Sequence, residues 1–160
     1  MSDAAPHRSS LLTVQSDWID FNGHLNMAYY NVLFDRGADE LFAQFGFGPD
    51  YVRRTGHSTF SAEFHVCYLR ELHEGAQVYV TSQLLDFDEK RFHFFQELYH
   101  EDGWLSATGE GLGLHIDLSG PRVAPMGEAA LSALKTLHEQ HTALPRPERA
   151  GRRIGIQRKG

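Results

Sequence analysis

The chain has 160 residues, 41% of them hydrophobic and 22% charged, enough to bury one core but leaving little room for a second domain. Fifteen Lys and Arg stand against 21 Asp and Glu, and six of the basic residues fall in residues 142–160 beside one acid, so the first 141 carry a net charge of -11 and offer a nucleic-acid backbone no basic surface. A single cysteine, Cys67, excludes an intramolecular disulfide, no apolar run approaches the ~20 residues of a membrane span, and the first ten residues lack a signal-peptide centre, so a soluble cytoplasmic protein without membrane or nucleic-acid partners is expected.

Residues 11–16 can supply a short first strand. Between Met27 and Phe45, Tyr30, Leu33, Phe34, Gly37, Ala38, Leu41, Phe42 and Phe45 recur at steps of three and four, which predicts a long helix with a wide aromatic stripe. Asn26 is placed to cap its start and Gly46 to end it. From Thr59 to Leu69 the pattern alternates, putting Phe60, Ala62, Phe64, Val66 and Tyr68 on an apolar face and Thr59, Ser61, Glu63, His65 and Cys67 on a mixed one. Residues 77–87, 91–100 and 104–118 read as three more strands, joined by turns at Glu74-Gly75, residues 86–90 and Asp102-Gly103 that favour antiparallel neighbours. A shorter amphipathic helix starts near Gly127 with Leu131, Leu134 and Leu137 on one face. The fold class is α+β, a long central helix wrapped by a curved antiparallel sheet of about five strands plus a C-terminal helix. Residues 1–141 form the domain, and residues 142–160 form a basic arm, extended or partly disordered.

Gly109, Gly111 and Gly113 alternate along the last long strand and so share a face. Their spacing is wrong for a phosphate loop, and a steric role is expected instead, with the long helix packed against a face that has no side chains.

The segment Asp17-Trp18-Ile19-Asp20-Phe21-Asn22-Gly23-His24-Leu25-Asn26 packs two carboxylates, a histidine, two amides and a glycine between two apolar elements. Turn and capping chemistry explains Asn22-Gly23 and Asn26 but not the whole set. A helix start can hold an oxyanion through free N–H groups and its dipole, and a carboxylate just upstream can attack a carbonyl or activate water. Asp20 is the candidate carboxylate, because the Asn22-Gly23 turn can fold it back toward the helix; His24 orients the loop or meets the substrate.

An Asp three residues before Gly23-His24-Leu25-Asn26, leading into a Tyr-rich helix, resembles the signature loop of the hotdog-fold acyl-CoA thioesterases of the 4-hydroxybenzoyl-CoA type. Tyr68-Leu69-Arg70-Glu71 and Gly75 follow in the same order, and the resemblance spans residues 11–141. Lys90-Arg91-Phe92-His93, Leu114-His115-Ile116-Asp117 and the Gly-Arg-Arg-Ile of the tail are similar to the betainyl-CoA thioesterases of bacterial carnitine degradation. The resemblance implies a thioester hydrolase in which Asp20 is the catalytic carboxylate, as nucleophile or as general base, and Gly23 and His24 belong to the loop beside the thioester carbonyl. The family often has Asp-x-Asp before the glycine, whereas two residues separate Asp17 from Asp20 here, which leaves Asp17 without a clear role. The resemblance also implies a homodimer or a dimer of dimers, with the active site at the subunit interface. Coenzyme A enters as part of the substrate, and no other cofactor is expected.

Glu63 is a second candidate for the catalytic set, against the simpler reading that it and His65 lie on a solvated face. Asn26 either orients the nucleophile or only caps. Trp18, Phe21, Tyr29 and Tyr30 surround the loop, and aromatic faces in an acidic body suit a trimethylammonium acyl group as well as they suit an ordinary core. His65 and Arg91 are further substrate-binding candidates, and Arg91, Arg70, Arg53, Arg54 and the tail arginines are all available to the CoA phosphates. None of the other histidines has metal-ligand spacing, so no metal is expected, and Cys67 reads as a small buried residue. Two rivals are a noncatalytic acyl-CoA-binding module and a hotdog-fold enoyl-CoA hydratase, whose Asp-x-Asn-Pro-x-His pattern is missing here.

Overall fold

The computed structural model describes residues 4–160. Two short strands, β1 (His7–Arg8) and β2 (Leu12–Thr13), lead through a 3-10 turn at Ser16–Trp18 into helix α1 (Met27–Ala43). Helix α2 (Pro49–Thr55) follows, then β3 (His57–Tyr68), β4 (Gln77–Phe87), β5 (Arg91–His100), β6 (Leu105–Asp117), β7 (Arg122–Val123) and helix α3 (Glu128–His141). All pairings are antiparallel, in the order β1-β4-β5-β6-β3, with β2 also on β4 and β7 on β6.

Helix α1 starts where expected: Asn26 is extended, and its side chain accepts a hydrogen bond from the Ala28 N–H at 3.0 Å. Its stripe of Tyr30, Leu33, Phe34, Ala38 and Leu41 is buried against the concave face of the sheet. Two elements differ from the sequence reading. Helix α2 is absent from the sequence reading because it is only seven residues long with no buried stripe, although Pro49 at its first turn and left-handed Gly56 at its end are ordinary helix punctuation. Strands β3 and β4 are consecutive but not neighbours; β3 crosses to the far edge and pairs only with β6.

The glycine face of β6 is buried, but helix α1 does not lie on it. A Cβ on Gly109 would stand 2.5 Å from the ring of Phe64, one on Gly111 2.3 Å from Phe94, and one on Gly113 2.1 Å from Phe92. The glycines therefore make room for aromatic rings from the flanking strands, and those rings carry the helix: Phe34 packs edge-on to Phe64 at 5.5 Å, and Phe42 to Phe92 and Phe94 at 5.1 and 5.8 Å. Gly37, the thin point of α1, instead meets Val80 of β4, which a Cβ there would approach to 2.6 Å.

After α3 the chain has no further helix or strand, and it crosses the convex face of the sheet. Gln83 of β4 donates to the Pro145 carbonyl at 3.4 Å, and the Gly151 N–H meets both carboxylate oxygens of Glu110 on β6 at 2.8 and 3.0 Å.

Candidate active site

Asp20 opens a tight hairpin. Its carbonyl accepts from the Gly23 N–H at 2.9 Å, its own N–H donates to the His24 carbonyl at 3.1 Å, and Ile19 bridges Leu25. Gly23 has φ 83°, a left-handed value that closes the loop and that a side chain would strain. The Asp20 carboxylate is half-buried, and its Oδ1 accepts from the Asn22 N–H at 2.8 Å, which fixes its rotamer. The loop is then sewn to the body: Asn26 N–H to Trp18 carbonyl at 2.9 Å, Leu25 N–H to Leu72 carbonyl at 2.7 Å, and His73 Nδ1 to Gly23 carbonyl at 3.2 Å. A carboxylate, a glycine and a helix start are thus held together by backbone bonds, a more rigid arrangement than side chains alone would give.

At the start of α1 the Ala28 N–H is taken by the cap and the Tyr29 N–H by the Asn26 carbonyl at 3.0 Å. Among the described residues nothing accepts from the Met27 N–H, so it remains free to donate. His24 is half-buried, and its Nδ1 has no partner among the described residues.

The expected substrate aromatics divide. Phe21 is 98% exposed at the hairpin tip. Tyr29 stacks on Trp18 at 5.8 Å, with Arg36 over the same indole. Tyr30 is buried in the core, where loss of solvent pushes its hydroxyl pKa up, so it supports the site and does not line it. Glu63 and His65 are not brought to the loop within the chain. They lie on the convex face of β3 in a shallow cleft with His93 and Glu110, whose side chains meet at 2.8 Å. Arg91 is tied to Asp88 through Nε at 2.8 Å, and that contact pulls the Asp88 carboxyl below its ordinary range. Cys67 is half-buried, with Sγ 3.9 Å from His65 Nε2.

A cavity of about 480 Å³ was missed by sequence reasoning. It runs between α1 and β3, over the aromatic floor of Phe64, Phe92 and Phe94, and its rim carries Asn31, Asp35, Asp39, Thr59 and Ser61. The two hydroxyls arrive there because β3 bulges between Ser61 and Glu63. Upstream of the bulge the alternation reverses, bringing Thr59 and Ser61 onto the face that Phe64 occupies downstream. The spacing of Asn31, Asp35 and Asp39, four residues apart, was a signal in the sequence, but such a row reads as the solvated side of a helix.

A helix wrapped by an antiparallel sheet, with a carboxylate loop at the helix start, defines the hotdog class of thioester hydrolases. The model of the thioesterase-like superfamily matches residues 14–134, and the chain belongs to that family. It is 42% identical over 144 residues to a betainyl-CoA thioesterase of Pseudomonas aeruginosa, covering 89% of this chain and 91% of that one. It is 36% identical over 146 residues to an L-carnitine dehydrogenase/betainyl-CoA thioesterase of Rhizobium meliloti, covering 91% of this chain and 29% of that longer protein. A Staphylococcus aureus protein solved in complex with CoA superposes with a TM-score of 0.90 at 27% identity, over 98% of this chain and 99% of that one. The chain is an acyl-CoA thioesterase. Among the described residues no helix is long and apolar enough to cross a membrane.

Proposed function

We propose that this thioesterase hydrolyses betainyl-CoA, or a closely similar cationic acyl-CoA, to the free acid and CoA, using Asp20. The observation that carries the catalytic assignment is the hairpin that locks the Asp20 carboxylate beside a helix start with a free N–H. The acyl group is suggested by the betainyl-CoA thioesterases that the chain resembles over about nine-tenths of its length.

In the reaction the carbonyl carbon is attacked, its oxygen gains negative charge, the C–S bond breaks, and the CoA sulfur leaves and takes up a proton. The Met27 N–H and the positive end of α1 would meet the developing oxyanion. Asp20 either adds to the carbonyl carbon, giving an anhydride that water then opens, or takes a proton from the attacking water. His24 and Gly23 hold the loop, and Asn26 fixes the helix start. Glu63, on the edge strand, would reach a site only in a neighbouring subunit. The open edge of β3, flanked by exposed Phe60, Tyr68 and Leu69, supports a homodimer with shared active sites.

Release of free thiol from a panel of betainyl, short aliphatic and aromatic acyl-CoAs tests this reading. Betainyl-CoA should give the highest kcat/KM, and Asp20→Asn should lower kcat by about 10²–10⁴ with the fold intact. Turnover of Asp20→Asn within threefold of the parent removes the assignment, and binding of CoA esters without cleavage of any thioester makes the chain a binding module. Single-turnover hydrolysis in H₂¹⁸O places label in Asp20 only if the anhydride forms.

A further inference from the structure

The C-terminal segment crosses the sheet along a single row of paired residues. Gln83 of β4 faces Phe95 of β5, Phe95 faces Glu110 of β6, and Glu110 faces His65 of β3. The segment is fastened at the first of these, where Gln83 holds the Pro145 carbonyl, and at the third, where Glu110 holds the Gly151 N–H. Its heading is therefore toward β3 and the open edge of the sheet.

Beyond that anchor nothing in its own chain holds the arm of residues 152–160. All nine residues are exposed, and among the described residues none after Arg152 forms a hydrogen bond. Ile154 and Ile156 are 88% and 83% exposed on either side of a bend at Gly155. Arg152, Arg153, Arg158 and Lys159 flank them, and none is in an ion pair. The superposition on the Staphylococcus aureus protein covers 98% of this chain and so takes in most of the arm.

A surface that suits such an arm lies on the convex face beside the open edge. The bulge at Ser61 turns Phe60 to that face, where it pairs with Leu114, and Phe60 is 45% exposed. Glu63, on the same face, is exposed and in no ion pair. If two copies pair their β3 strands about the strand's midpoint, His65 of one stands opposite Phe60 of the other. The row that the segment follows then runs on into this apolar patch. At ~4.8 Å per strand, the second copy's β3 and β6 lie about 10 and 14 Å beyond Glu110. At ~3.3 Å per residue, Ile154 and Ile156 reach at most about 10 and 16 Å beyond Gly151.

We propose that the arm crosses the open edge and docks on the convex face of a second copy of this chain, with Ile154 and Ile156 against that copy's Phe60 and Leu114. The claim rests on the homodimer proposed above and adds to it an exchange of arms, which a twofold axis makes reciprocal. Charge favours the same occupant: four basic side chains and no acid leave one protomer and land beside Glu63 on a body of net charge -11.

The test removes the native thiol with Cys67→Ser and adds Phe60→Cys and Ile154→Cys to the same chain. Mild oxidation with copper phenanthroline should give a species of twice the chain mass, whose digest shows residue 60 linked to residue 154. Leu11→Cys in place of Phe60→Cys, at the opposite edge of the sheet, should give no such link. Exchange between isotopically light and heavy dimers, read by native mass spectrometry, should be about 10-fold faster or more in Ile154→Asp/Ile156→Asp. Ile154→Leu/Ile156→Leu should exchange within about twofold of the parent. A dimer that yields no link, a link within one chain, or exchange that the aspartates leave unchanged overturns the docked arm alone. A chain that sediments as a monomer overturns the homodimer reading with it.

Discussion

Replacing Gly111 by Ala should cost about 3 kcal/mol of stability, the upper end of the range for overpacking a core. The new Cβ would lie 2.3 Å from Cζ of Phe94 and 2.8 Å from both Cε atoms, roughly 1.2 Å inside the ~3.5 Å where carbon contacts become favourable. Phe94 can yield only toward the cavity it floors, being 6% exposed and held by Phe42, Phe64 and Phe92 at centroid distances of 5.8, 6.5 and 6.1 Å. For a chain of this size ~3 kcal/mol lowers Tm by about 6–12 °C. Gly120→Ala, where nothing lies within 4 Å, serves as control and should move Tm by about 1 °C or less. A double-mutant cycle sharpens the test. Phe94→Leu alone should cost about 1.5 kcal/mol, yet combined with Gly111→Ala it should cost about 2 kcal/mol less than the sum, because the smaller side chain vacates the Cβ position. Scanning calorimetry reads all four proteins. Additive losses, or a Gly111→Ala melt within 2 °C of the parent, would show that the glycine face does not exist to seat the rings.

Asn26→Ala removes the cap that holds the Ala28 N–H and should cost about 1 kcal/mol in urea unfolding, with no change beyond 0.3 kcal/mol counting against it. Stability should also fall as pH drops below about 6.5, because burial holds His7, His115 and His141 below the ordinary imidazole range while the unfolded chain takes up their protons. His141 shows why, since its Nδ1 must stay unprotonated to accept from the Leu84 N–H at 2.9 Å. A urea midpoint at pH 5.5 equal to that at pH 7.5 contradicts this, and His141→Gln should flatten the slope. Deleting residues 145–160, with their six basic groups, should raise KM for CoA esters more than it lowers kcat; an unchanged KM would leave those charges without a part in phosphate binding.

The long helix, its Asn26 cap and the four long strands were legible because each is a run of ten or more residues whose apolar period reports the face it buries. The Asp20 loop was legible for a different reason: polar residues crowd where two apolar elements meet. What could not be read depends on contacts between distant residues. The glycines announced a close approach but not its partner, since Phe92 and Phe94 reach them only through the β5–β6 register. The bulge at Ser61 shifts which side chains face inward without leaving a Gly or Pro to mark it. Asp35 and Asp39 read as solvated helix residues and are exposed in the structure, but that they border a groove is decided by where β3 lies. Glu63 and His65 were assigned correctly to a mixed face, but which way that face points is decided by pairing with β6.

The crossing of the C-terminal segment bears on how many copies of this fold can come together, and how. Sheets stack face to face at about 10 Å, a gap that interleaved side chains fill and a third layer of backbone does not fit. Here the chain's own residues from Pro145 to Gly151 occupy that layer over β4 and β6, fastened at Gln83 and Glu110. Two such sheets cannot meet back to back while the strap is in place. Growth beyond a pair must therefore use the straps themselves as the contact, or surfaces at the sheet edges, so the tail decides the architecture available to the enzyme as well as contributing its charge.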